Sequence, residues 1–140
     1  MWWYKNGNRD LERTEKVKEE LSVRDWEAEV LGRWEVYEKA WSELLRTRVW
    51  FTDIPWPVRN PSVVTLANLT PGSIQSFILD PLKVRGNTTS TRERIRTSLL
   101  RWHPDKLTGL VSRVAEEDVD DVTEGIGIVI RCLREISGKS

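Results

Sequence analysis

Ser90-Thr91-Arg92-Glu93-Arg94-Ile95-Arg96-Thr97-Ser98-Leu99-Leu100-Arg101-Trp102-His103-Pro104-Asp105-Lys106 is the stretch on which the reading of this chain turns. Ser90 stands three residues ahead of Glu93, a capping box that opens a helix running to about Trp102. Ile95, Leu99 and Trp102 recur at i, i+4 and i+7 with Leu100 alongside, so one face is apolar while Arg92, Arg96 and Arg101 point elsewhere. Pro104 has no backbone N–H to continue the helix. It ends the helix and fixes the loop, which displays His103 and Asp105 at a rigid corner. The chain has one histidine, and it lies in this motif. A plainer reading is that His-Pro-Asp is a helix stop and turn, since proline and aspartate both favour turns.

Downstream, Leu107, Leu110, Val111 and Val114 can form a short helical piece. Asp118 is placed to cap a last helix with the stripe Val119, Val122, Ile126, Val129 or Ile130, Leu133 and Ile136. Gly125 and Gly127 lie inside it at roughly 1 kcal/mol each relative to alanine, which points to a close helix–helix contact. Upstream, Thr70-Pro71 is a helix start, with Ile74, Phe77 and Ile78 on one face and an end near 79–82. Gly86-Asn87-Thr88-Thr89 reads as a loop.

Asp10 to about Trp50 reads as one long helix without proline, with an apolar stripe at Trp26, Val30, Trp34, Tyr37, Trp41 and Leu44 or Leu45. Upstream of Ser22 the stripe thins to Leu11, Val17 and Leu21, so an exposed helix or frayed arm is expected there. The tryptophans suit a packing stripe better than a nucleic-acid stacking surface, which normally lines a basic groove. Residues 1–50 carry ten basic and eleven acidic side chains. Asp53-Ile54-Pro55-Trp56-Pro57 and Asn60-Pro61 then break the helix and favour an extended connection, with Trp56 plugged into the core. Ser62 to Leu69 is a short strand or, for want of a pairing partner, an extended loop. The expectation is an all-α fold: a long charged Trp-rich helix (1–51), a Pro-rich connector (52–69) and a helical domain (70–137) containing a hairpin with the His-Pro-Asp loop.

At 140 residues and 31% charged side chains, the chain fits one compact domain, or a small domain with an extended arm. Formal net charge is zero, so no global field argues for nucleic acid or an anionic membrane. The charge is partitioned all the same. Residues 83–113 hold eight basic side chains against Glu93 and Asp105, whereas 116–124 hold six acids and no base. Such stretches serve internal pairing, an acidic partner or simply a solvated face. One cysteine, Cys132, rules out an internal disulfide and any Cys-based zinc site and suggests a reducing, intracellular setting. No apolar run reaches the ~20 residues of a membrane span, so no membrane association is expected. The first residues lack the apolar stretch of a secretory signal.

Two helices joined by His103-Pro104-Asp105, the first of them basic, resemble a J-domain. Arg96, Leu99, Leu100 and Trp102 match the basic, apolar, apolar and aromatic positions that run into that family's motif, Lys106 continues it, and Phe77-Ile78-Leu79 resembles the first J-domain helix. The order of features is most similar to the C-terminal J-like region of the NF-kappa-B inhibitor-like proteins, over roughly Arg33 to Ile136. The resemblance rests on Trp34, Tyr37 and Trp41, then Asp53-Ile54-Pro55-Trp56-Pro57, then Leu99-Leu100-Arg101-Trp102-His103-Pro104-Asp105-Lys106. It implies a nuclear negative regulator of NF-kappa-B-type signalling, located in the nucleus rather than the cytoplasm. It also implies that His103, Pro104 and Asp105, supported by Arg92, Arg96, Arg101 and Lys106, contact a protein partner such as an Hsp70-type chaperone. Two departures stand out. The last helix shows Gly127-Ile128-Val129-Ile130-Arg131-Cys132-Leu133 in place of an Ala-Tyr pair before leucine, and no ankyrin repeat is present.

The alternative is a J-fold scaffold, uncoupled from Hsp70, that binds a protein through the Trp-rich helix. An enzyme is not expected. His103 has no second ligand or nucleophile at useful spacing, Cys132 sits among aliphatic residues as a buried inert thiol, and the acids of 116–124 lack the glycine and spacing of a calcium loop. No cofactor and no metal are called for. The eight-base segment is a poor nucleic-acid site without net positive charge or interleaved exposed aromatics.

Overall fold

The computed structural model describes the backbone at residues 2–44, 47–59 and 63–139, with side chains from residue 11 to 138 within those spans. It holds five α-helices and, among the described residues, no strand: α1 (Trp2–Ser42), α2 (Pro71–Leu79), α3 (Thr91–Arg101), α4 (Pro104–Val111) and α5 (Val119–Lys139). The fold is all-α, as expected.

Local chemistry starts the short helices. Thr70 accepts the Ser73 N–H on its hydroxyl and Pro71 opens α2; Ser90 accepts the Glu93 N–H and opens α3. Gly86 supplies the one positive φ among the described residues, 84°, in the loop between them. Asn87 then ties that loop by donating to the carbonyls of Leu82 and Thr89.

The long helix begins and ends earlier than its composition suggests. α1 stops at Ser42, whose hydroxyl donates to the Lys39 carbonyl. Val49 is extended instead. Its N–H donates to the Arg113 carbonyl at 2.8 Å and its carbonyl accepts the Ala115 N–H at 2.7 Å, an isolated parallel bridge. That bridge also explains why α4 stops at Val111, since residues 113–115 give their backbone groups to Val49. Asp118 precedes α5, and its carboxylate accepts the Phe51 N–H at 2.8 Å, pinning the connector to the α4–α5 junction. Leu45, the alternative end of the apolar stripe, and Asn60-Pro61-Ser62 lie outside the described residues.

The connector turns its apolar side chains inward. Ile54, Trp56 and Val58 are all buried, and the Trp56 indole donates to the Phe51 carbonyl at 2.9 Å. Val64 and Leu66 pack against the core from a loop with one 3-10 turn at Leu66–Asn68, the looped alternative over the described residues 63–69. α2 and α3 both pack on α5, whose Val122, Val129 and Leu133 are fully buried.

α1 lies over this body along positions that step by seven. Glu20 and Glu27 bond Arg85, Trp34 lies under the Arg94 guanidinium at 3.9 Å, and Trp41 meets Trp102 edge-on at 5.1 Å. Arg94 also donates to the Ile78 carbonyl, and its burial pushes its pKa down. Val30 and Tyr37 are buried, whereas Trp26 stays 37% exposed at the edge of the stripe.

Tyr37 accepts the Trp102 indole N–H at 3.0 Å. Burial pushes its phenol pKa up, against the lowering effects of that bond and of Arg101. In the unfolded chain the phenol ionises near ~10. Stability from this group is therefore complete below about pH 10 and is lost as pH rises towards the folded value, by up to ~1.4 kcal/mol per pH unit. Melting temperature followed from neutral to alkaline pH should fall more steeply for the natural chain than for Tyr37→Phe. Parallel curves would show that Tyr37 carries none of the alkaline loss.

Candidate functional site

The His-Pro-Asp corner is a helix-to-helix junction. Trp102 closes α3 with φ −90° and ψ 5°, and His103 turns extended with ψ 133°. Pro104 then occupies the first position of α4, where a missing N–H costs nothing. His103 caps α4 by accepting the Asp105 N–H on Nδ1 at 3.2 Å, which leaves the proton of the neutral ring on Nε2. The Asp105 carboxylate stands 3.7 Å from Nδ1 and is 92% exposed; the imidazole is half exposed. The helix that follows the motif is thus the short α4, and the long α5 comes only after the 3-10 turn Glu116–Asp118. The short helical piece expected after the motif is α4, opened by Pro104 and capped by His103, and it stops before Val114, which pairs with Val49.

The basic residues around the corner divide between two grooves. Arg92, Arg96, Leu99, Leu100 and His103 line one of about 430 Å³, together with Ile95 and with Ser137 of α5. Arg101 and Lys106 line the other, of about 740 Å³, with Trp41, Thr97 and Arg113. Leu100, 47% exposed, forms the ridge between them. Pro104 instead borders an apolar cleft between α4 and α5 with Leu107, Val111, Ile126 and Ile130.

Arg92, Arg96 and His103 therefore share a surface, whereas Arg101 faces the other way and is already committed. Its guanidinium grips Glu38 through two bonds, at 3.0 and 2.7 Å, and lies 5.3 Å from the Tyr37 ring centre. Burial is the largest single influence on the Arg101 cation and works against it, but Glu38 and Tyr37 together outweigh it and its pKa is raised. Its position fastens α1 to α3. Leu99, Leu100 and Ser137 were not anticipated as lining residues. The adjacent leucines were the available signal: one of such a pair must face away from the core on a helix with a single apolar stripe.

Cys132 is buried with its thiol 3.5 Å from the Pro71 carbonyl, and burial together with Glu135 pushes its pKa up, the opposite of nucleophile activation. Among the described residues no helix is long and apolar enough to cross a membrane. Comparison of the chain with protein-family models, with curated proteins and with solved structures yields no match.

Proposed function

We propose that this chain is a non-enzymatic, J-like interaction module whose His103-Pro104-Asp105 corner docks an Hsp70-type chaperone. The observation that carries this reading is the shared groove of His103, Arg92 and Arg96, apolar at its floor and cationic at its rim. An acidic partner surface would meet the two arginines, and a partner cation would meet Asp105, which is held at a helix start and, among the described residues, has no fixed cationic partner other than the neighbouring imidazole. In this reading the protein raises the ATPase rate of its partner and performs no chemistry itself. Its resemblance to the NF-kappa-B inhibitor-like proteins is the ground for proposing an intracellular, nuclear role in negative regulation of NF-kappa-B-type signalling.

The alternative, a scaffold that binds through the Trp-rich helix, has less support. Trp34 and Trp41 are occupied by Phe77, Tyr37 and Trp102 within the chain.

Single-turnover ATP hydrolysis by an Hsp70, with and without this protein, tests the proposal. Stimulation is expected with the natural chain and a return to the basal rate with His103→Gln. Arg96→Glu should weaken stimulation in a salt-dependent way, since a rim charge acts mainly on encounter. No stimulation by a folded natural chain would exclude the Hsp70 reading.

A further inference from the structure

The solvent side of α1 carries a second pattern, separate from the face that packs on the body. Val17, Leu21, Arg24, Ala28 and Leu31 follow steps of four, three, four and three, the spacing of a coiled-coil seam. All five are exposed, with Val17 at 52%, Leu21 at 51% and Leu31 at 40%. Residues 11–19 are exposed throughout, so this part of α1 buries no side chain against the body. A helix without tertiary support is marginal in water, and a length of this kind needs a packing partner.

We propose that the partner is a second copy of this chain, docked antiparallel along α1. Charge selects the occupant and its direction. In an antiparallel pair centred between Ser22 and Val23, Val17 meets Ala28 of the second copy and Leu21 meets its Arg24. The flanking Lys18 then faces Asp25 of the second copy, and by symmetry the pair forms twice. Lys18 and Asp25 are both exposed and make no ion pair among the described residues. In a parallel pair with the same seam, Arg13 would face Lys18 and Glu20 would face Asp25, two like-charge contacts on each side.

The antiparallel register sets Glu20 opposite Glu27, and that repulsion is already neutralised. Arg85 of the same chain bonds both, at 2.9 Å and 2.7 Å, and holds both carboxyls below their ordinary pKa. Arg24 bonds Glu20 at 3.2 Å and can lay its stem along the seam; one polar residue at such a position fixes register. The register also matches the length of the element. Its two-fold axis falls at the middle of Trp2–Ser42, so the two helices overlap from end to end. The contact is isologous and closes at two copies.

Sedimentation of the full chain over a micromolar dilution series tests this. The expected result is a species of twice the 16.4 kDa chain mass at the upper concentrations. Lys18→Asp, which sets Asp against Asp25, should leave the monomer, and Lys18→Asp with Asp25→Lys should restore the dimer. These side chains are exposed, and circular dichroism of each variant verifies that the body is folded. A monomer at every concentration overturns the proposal. So does a dimer that Lys18→Asp leaves intact, or a double exchange that fails to restore it.

Discussion

Replacing Trp102 by alanine is expected to destabilise the protein by about 3–5 kcal/mol, the usual range for removing a buried indole. Trp102 has no exposed surface and occupies the point where α3, the connector and α1 meet. Its ring stacks on Trp56 of the connector at 5.5 Å and 20°, meets Trp41 of α1 edge-on, and donates its N–H to Tyr37. Alanine would remove the transfer free energy of the indole, leave a cavity that the rigid neighbouring rings cannot fill, and take from the Tyr37 hydroxyl the N–H it accepts. Denaturant titration gives the loss as a shift in midpoint at constant slope. Trp102→Phe keeps most of the volume but not the N–H, so its loss should be clearly smaller. Equal losses for the two would mean that the hydrogen bond to Tyr37, and not the packing, dominates.

The same residue ties the stability of the fold to the candidate site. His103 is displayed because Trp102, its immediate neighbour, is drawn fully into the core and Pro104 fixes the next step of backbone. The corner therefore has little freedom to reposition, and the groove beside it is formed before any partner arrives. Arg101 completes the arrangement from the other side by clamping Glu38. The guanidinium that fastens α1 also lines the second groove beside the motif.

Features set by neighbours in sequence were legible in the sequence. The caps at Thr70 and Ser90, the stripe Val30, Trp34, Tyr37 and Trp41, and the inward Trp56 all depend on residues within a turn or two. What escaped depends on distant chain. The helix-forming run after Ser42 is interrupted because Val49 bonds residues 113 and 115, more than sixty positions on. Local propensity carries no trace of that bond. The arginines of α3 look alike in sequence, and only the crossing of α1 separates them: Arg94 is buried on Trp34, Arg101 is paired, and Arg92 and Arg96 remain in the groove by His103. The short α4 after the motif was legible too, in the spacing of Leu107, Leu110 and Val111, and only Val114 falls outside it.

Gly125 and Gly127 read alike in the sequence, yet alanine at the two positions is expected to change stability in opposite directions. At Gly127 the only neighbour of an added Cβ is the end of the Arg131 side chain at 3.6 Å, an ordinary contact. Alanine there should gain close to the full helical preference over glycine, about 0.5–1 kcal/mol. At Gly125 the Cβ would lie 2.7 Å from the Trp56 ring and 3.1 Å from Leu69, so the close approach is to the connector and not to another helix. Trp56 has no room to yield: Phe51 lies against it at 4.7 Å, Trp102 stacks on it, and its indole N–H is bonded to the Phe51 carbonyl. Overpacking of this kind costs about 1–3 kcal/mol and outweighs the gain in propensity, so Gly125→Ala should be a net loss, and Gly125→Val a larger one. Thermal and denaturant unfolding of both alanine variants measure the split directly. A stabilised Gly125→Ala would mean that Trp56 moves freely, and with it the connector that fastens α5 to the residues before the His-Pro-Asp corner.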